Sequence, residues 1–339
     1  MSRVIGVDCG TGNIVCAEKK NDKLEYYKVR DAFFKMNPSK FITGSSLEFG
    51  ENMLKKAGAN FVKIDGILYI LGDDAFKFAS MFHQECLRPM AKGVLNPQEP
   101  ESIVMVKELI RGVAGQSTDE NDIVYYCIPA DPIDADFDIA FHASTIKSIL
   151  TDLGYKKIFK MNEGLAVVYS ELENEQFSGV GMSWGAGQCN IAYSFLGMPI
   201  FCFSVAKSGD YIDAQAAKAT NETCNIVQHV KEAGIDLNAP KNKIESAISI
   251  YYESLIEYVV EQFRKLYAST DTKKLPNILE PLTVVVSGGT SMPKGFIEKL
   301  EEAIKDDFPV PVSKVKLAVD PLFAVSRGLY NAAKVKEES

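Results

Sequence analysis

The sequence predicts an α/β protein built as two similar halves around a cleft, and three observations carry that expectation. Strand-like and helix-like segments alternate through all 339 residues with no low-complexity linker, the pattern of layered α/β architecture. A strand, a glycine turn and a returning strand open the chain at residues 4–18, and the same unit returns from Gly179. Such an internal echo indicates related halves, and 339 residues is the size of about two domains. A third glycine turn, Ser287-Gly288-Gly289-Thr290-Ser291, also follows an apolar strand.

The opening run Val4-Ile5-Gly6-Val7 is apolar and partly β-branched, suited to a buried strand. It ends in Asp8 and turns through Gly10-Thr11-Gly12-Asn13. Lacking Cβ atoms, the two glycines let the backbone turn sharply and approach a ligand. Successive N–H groups in such a turn form an anion-binding concavity. Taken alone, the stretch reads slightly better as an ordinary hairpin turn, so the case rests on the other turns.

Residues 14–18 and 23–29 predict the next two strands. From Met36 to about Met90, Gly44, Gly50, Gly58, Gly66 and Gly72 punctuate short segments. With a strand over 67–71 and a helix over 73–83, this region reads as a small inserted subdomain. Helices are expected over 101–112, 135–153, 163–172 and 210–219, with strands over 122–128 and 157–161. Over 242–268, Ile244, Ile248, Tyr251, Leu255, Tyr258, Val259, Phe263 and Leu266 form one apolar stripe at helical spacing, the mark of a helix packed on a core. A strand over 283–286, a helix ending near 304, a strand over 315–319 and a helix over 321–333 follow, then a charged, frayed tail over 334–339.

Composition narrows the class. A net charge of −8 argues against non-specific nucleic-acid binding. The seven cysteines are scattered, without Cys-x-x-Cys spacing, and read as buried free thiols of a reducing compartment. His83, His142 and His229 have no metal-ligand partner at helical spacing. Ser2 and Arg3 lead straight into the first strand without a secretory signal, and a cytoplasmic location is expected. No charged residue lies between Glu175 and Lys207, yet Gly179, Gly181, Gly185, Gly187, Gln188, Asn190 and Pro199 would leave a poor spanning helix. Buried strands joined by tight turns fit that segment better.

The three turns, in this order, resemble the phosphate and adenosine motifs of the actin superfamily, which also includes the heat-shock chaperones and sugar kinases. Asp8-Cys9-Gly10-Thr11-Gly12-Asn13 is similar to the first phosphate motif, residues 180–192 stand at the second, and Val285-Val286-Ser287-Gly288-Gly289-Thr290-Ser291-Met292 resembles the adenosine motif of actin. Asn162-Glu163-Gly164-Leu165-Ala166 and residues 320–328 resemble the two connecting helices. Arg88-Pro89-Met90-Ala91-Lys92-Gly93-Val94 is similar to a segment of MreB, the bacterial actin homologue, and Ile226-Val227-Gln228-His229-Val230-Lys231-Glu232 to an actin segment beside the nucleoside. The nearest branch is thus the bacterial or archaeal actin-like proteins around MreB.

The resemblance implies an actin-like ATPase fold: two similar α/β domains, each with a smaller subdomain, around a nucleotide cleft. Domain I would comprise 1–162 plus 321–339, with an inserted subdomain at about 31–87; domain II would comprise 163–320, with a subdomain at about 212–275. It implies ATP or ADP with Mg²⁺. Gly10, Thr11, Gly12 and Asn13 would wrap one phosphate edge and Gly185, Ala186 and Gly187 the other. Asp8 would hold Mg²⁺ through water. Gly209, Lys231, Glu232, Gly288, Gly289, Thr290 and Met292 would surround the nucleoside, although Lys231 and Glu232 read equally as a surface pair on a helix. The water-orienting group would follow Ile128-Pro129, with Asp136 preferred over Asp134 and Asp138; acids in a first helical turn are also stabilised by its dipole.

One departure stands out. The second motif usually opens with aspartate, and here the register places Ser183 there, followed by Trp184 and Gly185-Ala186-Gly187-Gln188. One charge fewer near Mg²⁺ should weaken metal binding or water activation. The expected function is an ATP-binding cytoskeletal protein that forms head-to-tail filaments with slow hydrolysis. The alternative is a non-polymerising nucleotide-binding scaffold, a pseudo-ATPase. A sugar kinase fits less well, because no carbohydrate-binding constellation is visible.

Overall fold

The computed structural model describes residues 2–37, 46–84, 86–271, 275, 280–305 and 308–338. Gly44 and Ser339 of the expectations above lie outside the described residues. The first half begins with β1 (Val4–Cys9), β2 (Asn13–Lys20) and β3 (Lys23–Arg30), an antiparallel meander. β4 (Phe33–Met36), α1 (Leu47–Ala57), β5 (Phe61–Ile64), β6 (Ile67–Leu71) and α2 (Asp73–Met81) form a separate small layer. Its three-stranded sheet, ordered β4-β6-β5, closes a core of Phe34, Met36, Leu54, Leu68 and Ile70. A short hairpin of β7 (Met90–Ala91) and β8 (Val94–Leu95) follows, then α3 (Ser102–Ala114), β9 (Ile123–Ile128), α4 (Ile139–Asp152), β10 (Lys157–Asn162) and α5 (Glu163–Glu171).

The second half repeats the scheme. β11 (Gly179–Trp184), β12 (Cys189–Phe195) and β13 (Met198–Val205) make the antiparallel meander. α6 (Gly209–Thr220), α7 (Cys224–Glu232) and α8 (Lys243–Ser269) follow, then β14 (Leu282–Ser287), α9 (Phe296–Lys305), β15 (Val312–Leu317) and α10 (Ala324–Glu338). The two five-stranded sheets are ordered β10-β9-β1-β2-β3 and β13-β12-β11-β14-β15. In each, the first strand pairs antiparallel with its successor and parallel with a later strand, so β1 corresponds to β11, β9 to β14 and β10 to β15. The echo at Gly179 is therefore a repeat of topology.

Helices α5 and α10 lie between the sheets, and glycine lets them approach. A Cβ on Gly6 of β1 would collide with the Ser326 carbonyl of α10, one on Gly181 of β11 with the Gly164 carbonyl of α5, and one on Gly328 with the Ala166 carbonyl. Only a residue without a side chain allows backbone-to-backbone contact at these points. Buried Ile5, Val7 and Val124 fill one side of this stack and Val180, Met182 and Val284 the other. Buried strands of this kind read as near-continuous apolar runs.

Several boundaries depart from the expectations. α4 starts at Ile139, four residues later than the predicted 135, because Asp138 caps it: its carboxylate accepts from Phe141 N at 2.7 Å. The preceding loop is held to β13, with Ile133 N donating to Ser204 O at 3.0 Å and Ser204 N to Asp131 O at 3.1 Å. β15 spans Val312–Leu317 and leaves Val319 outside, 86% exposed. The last helix starts at Ala324 and runs to Glu338, so residues 334–338 are helical where a frayed tail was expected. On α8, Tyr252 and Ile256 are buried whereas Tyr251 and Tyr258 are only partly so. That helix packs against both α6 and α9, so its buried arc is broader than one stripe. The uncharged stretch 176–206 forms β11, β12 and β13, and among the described residues no helix is long and apolar enough to cross a membrane.

Candidate functional site

The first two glycine turns have the same geometry. Gly10 N donates to Asn13 O at 3.1 Å, and Gly185 N donates to Gln188 O at 3.0 Å. They face one another closely, since a Cβ on Gly12 would meet the Ala186 Cβ at 3.4 Å. The β7–β8 hairpin straps them together: Gly93 N donates to Thr11 Oγ1 at 2.8 Å, and Gln188 Nε2 donates to Lys92 O at 2.6 Å. Gly187 must be glycine here, because a Cβ would sit 2.6 Å from Thr11 Oγ1 and 2.7 Å from Gly93 N.

The third turn docks on the second. Gly288 has φ of 89°, a left-handed conformation that favours glycine, and its N–H donates to Pro321 O at 2.8 Å. The Gly185 carbonyl accepts from Thr290 Oγ1 at 2.7 Å, Ser208 Oγ at 2.7 Å and Gly209 N at 3.2 Å. Gly209 has no room for a side chain, since a Cβ would lie 2.6 Å from Thr290 Oγ1. Lys231 points inward: its Nζ donates to Gly209 O at 3.0 Å and to Asp213 at 2.8 Å. It is thus not a surface partner of Glu232, whose exposed carboxylate accepts from Gln228 at 2.9 Å. Met292 is half exposed beside the turn. The structure therefore gathers Gly10, Thr11, Gly12, Gly185, Ala186, Gly187, Gly209, Thr290 and Lys231 around one cleft.

The carboxyl ends of the parallel strands point into the same place, where ligands bind in open α/β sheets. β1 delivers Asp8, β9 delivers Cys127, and Glu163 follows β10. Asp8 Oδ1 accepts from the Cys127 thiol at 3.2 Å, and Glu163 Oε2 accepts from the Ser183 hydroxyl at 3.2 Å. Burial pushes the Asp8 carboxyl up to about 6. Burial, and then the charge of Asp8, push Glu163 up to about 8. Among the described residues neither carboxyl enters an ion pair with a basic side chain. Among the described residues the buried Gln188 Oε1 finds no hydrogen-bond partner.

The buried Glu163 and the partly buried Asp8, neither balanced by a basic side chain among the described residues, fit a divalent cation carrying an anion beside this glycine-lined cradle, because burying uncompensated charge is costly. Among the described residues no three His, Cys, Asp or Glu side chains form a ready-made metal cage. A cation here would keep much of its water shell, as Mg²⁺ does.

Asp134 and Asp136 lie on the exposed loop before α4. The Asp134 carboxylate accepts from Ala206 N at 2.8 Å and Tyr258 OH at 3.0 Å, which ties this loop to the second half. At the mouth of the cleft, Arg88 of the first half donates to Asp210 of the second at 3.0–3.1 Å, and Arg30 lies 3.7 Å from Glu232. A cavity of about 300 Å³ between them is lined by Phe76, Gln84, Arg88, Asp210, Asp213 and Gln228 among others. Sequence reasoning missed Glu163, Cys127, Arg88 and Asp210 as site residues. Glu163 had a signal: an acid next to Asn162 at a strand end.

Two α/β halves of repeated topology, with three glycine turns and two carboxyls converging between them, define an actin-like ATPase fold. The chain belongs to the Volactin family, an actin-like family whose profile matches residues 3–333. Comparison with curated protein sequences finds no match. Among solved structures the chain is similar to a MamK double helical filament, at 18% identity and TM-score 0.73, with 98% of this chain and 99% of that one covered. It is also similar to MreB5 of Spiroplasma citri bound to AMPPNP, at 14% identity and TM-score 0.68 over 100% and 98%. The ethanolamine utilization protein EutJ from Carboxydothermus hydrogenoformans matches at 14% identity and TM-score 0.55 over 98% and 90%. At these identities the likeness concerns the fold.

Proposed function

We propose that the chain is a cytoplasmic ATP-binding cytoskeletal protein that assembles head-to-tail into filaments with ATP and Mg²⁺ and hydrolyses ATP slowly. The observation that carries this reading is the pairing of two glycine turns, strapped face to face by one hairpin, with the carboxyls of Asp8 and Glu163 behind them. Gly10–Asn13 and Gly185–Gly187 would bind the phosphates through backbone N–H groups. Gly209, Lys231, Glu232, Gly288, Gly289, Thr290 and Met292 would hold the nucleoside of ATP or ADP. Bound Mg²⁺ would offset phosphate charge, held through water by Asp8 with Glu163 as its second carboxylate.

Asp136 and Asp134 remain the acids proposed to orient the attacking water. The engagement of Asp134 with Ala206 and Tyr258 favours Asp136. The division into 1–162 plus 321–339 and 163–320 belongs to the same proposal, supported by sheet membership and by the packing of α10 against β1. A head-to-tail contact gives open polymers when its rotation does not close, and the filament and nucleotide complexes among the structural neighbours support carrying those properties over.

Ser183 favours the second reading, a nucleotide-binding scaffold without turnover. Phosphate release by the wild type, Asp136→Ala and Glu163→Gln decides between them. Turnover lost in a variant that still binds ATP supports the enzyme; no turnover in any of the three supports the scaffold.

A further inference from the structure

We propose that Cys127 is a positioning residue for Asp8, its thiol fixing the carboxylate that holds the Mg²⁺ of bound nucleotide. The inference rests on reading the cleft as a Mg²⁺–nucleotide site, and goes beyond it by giving a buried cysteine a task there. β1 and β9 run parallel with Val7 opposite Tyr126, so the next residues, Asp8 and Cys127, stand side by side, each one residue before its strand's end at Cys9 and Ile128. The sulfur is held from behind: Cys9 N donates to Cys127 Sγ at 3.1 Å. Its own hydrogen goes forward to Asp8 Oδ1 at 3.2 Å. Backbone, sulfur and carboxylate thus form a chain with one direction, which selects a single orientation for Asp8.

The chemistry of the donor matters. A thiol donates weakly, so it orients the carboxylate without drawing off the negative charge that a metal-bound water needs. An arginine or lysine at this point would orient Asp8 equally well but would repel the cation. Among the described residues Cys127 is the side-chain donor to Asp8, and the thiol is fully enclosed at 1% exposure, so its part is contact with Asp8 and not reaction with solvent species. Groups that orient a metal-binding side chain from behind are typically worth about 10–100-fold in metal affinity.

The test titrates Mg²⁺ into full-length protein with a fluorescent ATP analogue and compares wild type, Cys127→Ala and Cys127→Ser. Cys127→Ala should raise the Mg²⁺ concentration for half-maximal tightening about tenfold, while nucleotide affinity in chelator stays within twofold of wild type. Cys127→Ser, which keeps a donor, should stay within about threefold of wild type. A thermal melt of each variant separates this from a damaged fold, which would weaken chelator-phase binding too. An unchanged Mg²⁺ midpoint in Cys127→Ala overturns the role of Cys127 and leaves the nucleotide site standing. Failure of the wild type itself to bind nucleotide overturns both.

Discussion

The Ser183 hydroxyl donates to Glu163 Oε2 across 3.2 Å, linking the second glycine turn to the helix that follows β10. Ser183 stands in β11 where Asp8 stands in β1, one residue before the position that precedes each turn's glycine. The carboxylate missing from the second turn is thus offered from Glu163, and Asp8 is not the sole acid at the cleft floor. Moving the charge should show this. Ser183→Asp places a third carboxyl beside those of Glu163 and Asp8 and should lower thermal stability, since like charges in one site cannot all ionise. The double change Ser183→Asp with Glu163→Gln should recover stability and Mg²⁺ dependence. Asp8→Ala should lose Mg²⁺-dependent nucleotide binding in either background.

The same pair sets a pH dependence. Burial raises the folded carboxyl of Glu163 from 4.5 to about 8 and that of Asp8 from 3.8 to about 6. A raised carboxyl binds its proton more tightly in the folded state, so stability is present at low pH and falls as pH rises through these values. Burial lowers His142 from 6.5 to about 4, which works oppositely and is complete above about 6.5. The ligand-free protein should therefore melt at lower temperature at pH 8 than at pH 6.5. Glu163→Gln should flatten that slope in a calorimetric pH series, and an equal slope in the variant removes Glu163 as its source.

Across the mouth of the cleft, Arg88 and Asp210 join the two halves at 3.0 Å. Asp210 N also donates to Ala186 O at 2.8 Å, so the pair is tied to the backbone of the second glycine turn. Arg88→Ala should speed release of a fluorescent nucleotide by roughly tenfold, a change of about 1.4 kcal/mol. Exchanging the charges, Arg88→Asp with Asp210→Arg, should restore slow release measured by stopped flow. Release at the wild-type rate in Arg88→Ala would show that the pair does not hold the cleft.

Much of the frame is legible in the sequence. Strand–glycine–strand units at Gly10 and Gly185 are local patterns, and Gly6, Gly181 and Gly328 mark the close helix contacts that only small residues allow. Asp8 is legible because it stands two residues before the first glycine of its turn. Glu163 and Cys127 become site residues only when β9 and β10 line up beside β1, a long-range pairing that no local spacing encodes. The start of α4 is misplaced because Asp138, three residues inside the expected helix, caps it by accepting from Phe141 N. Lys231 is ambiguous by sequence, since a lysine beside a glutamate on a helix suggests a surface pair, and its contacts with Gly209 and Asp213 come from the packing of α7 on α6.

The acid loop gives a separate prediction. Asp134→Ala removes the acceptor of Ala206 N and Tyr258 OH, and should lower thermal stability with little change in the rate of phosphate release per folded molecule. Asp136→Ala should do the reverse, leaving the melt near wild type and slowing release by about 10²-fold or more. Equal effects of the two substitutions on turnover would place the catalytic role on neither acid alone.

Sedimentation of the full-length protein, with light scattering across a range of concentration and salt, tests the central claim most directly. Polymer should pellet with ATP and Mg²⁺ together, diminish when Mg²⁺ is chelated, and fail to form in Asp8→Ala. Monomers that persist with ATP and Mg²⁺ at every concentration and salt would contradict a filament-forming nucleotide switch.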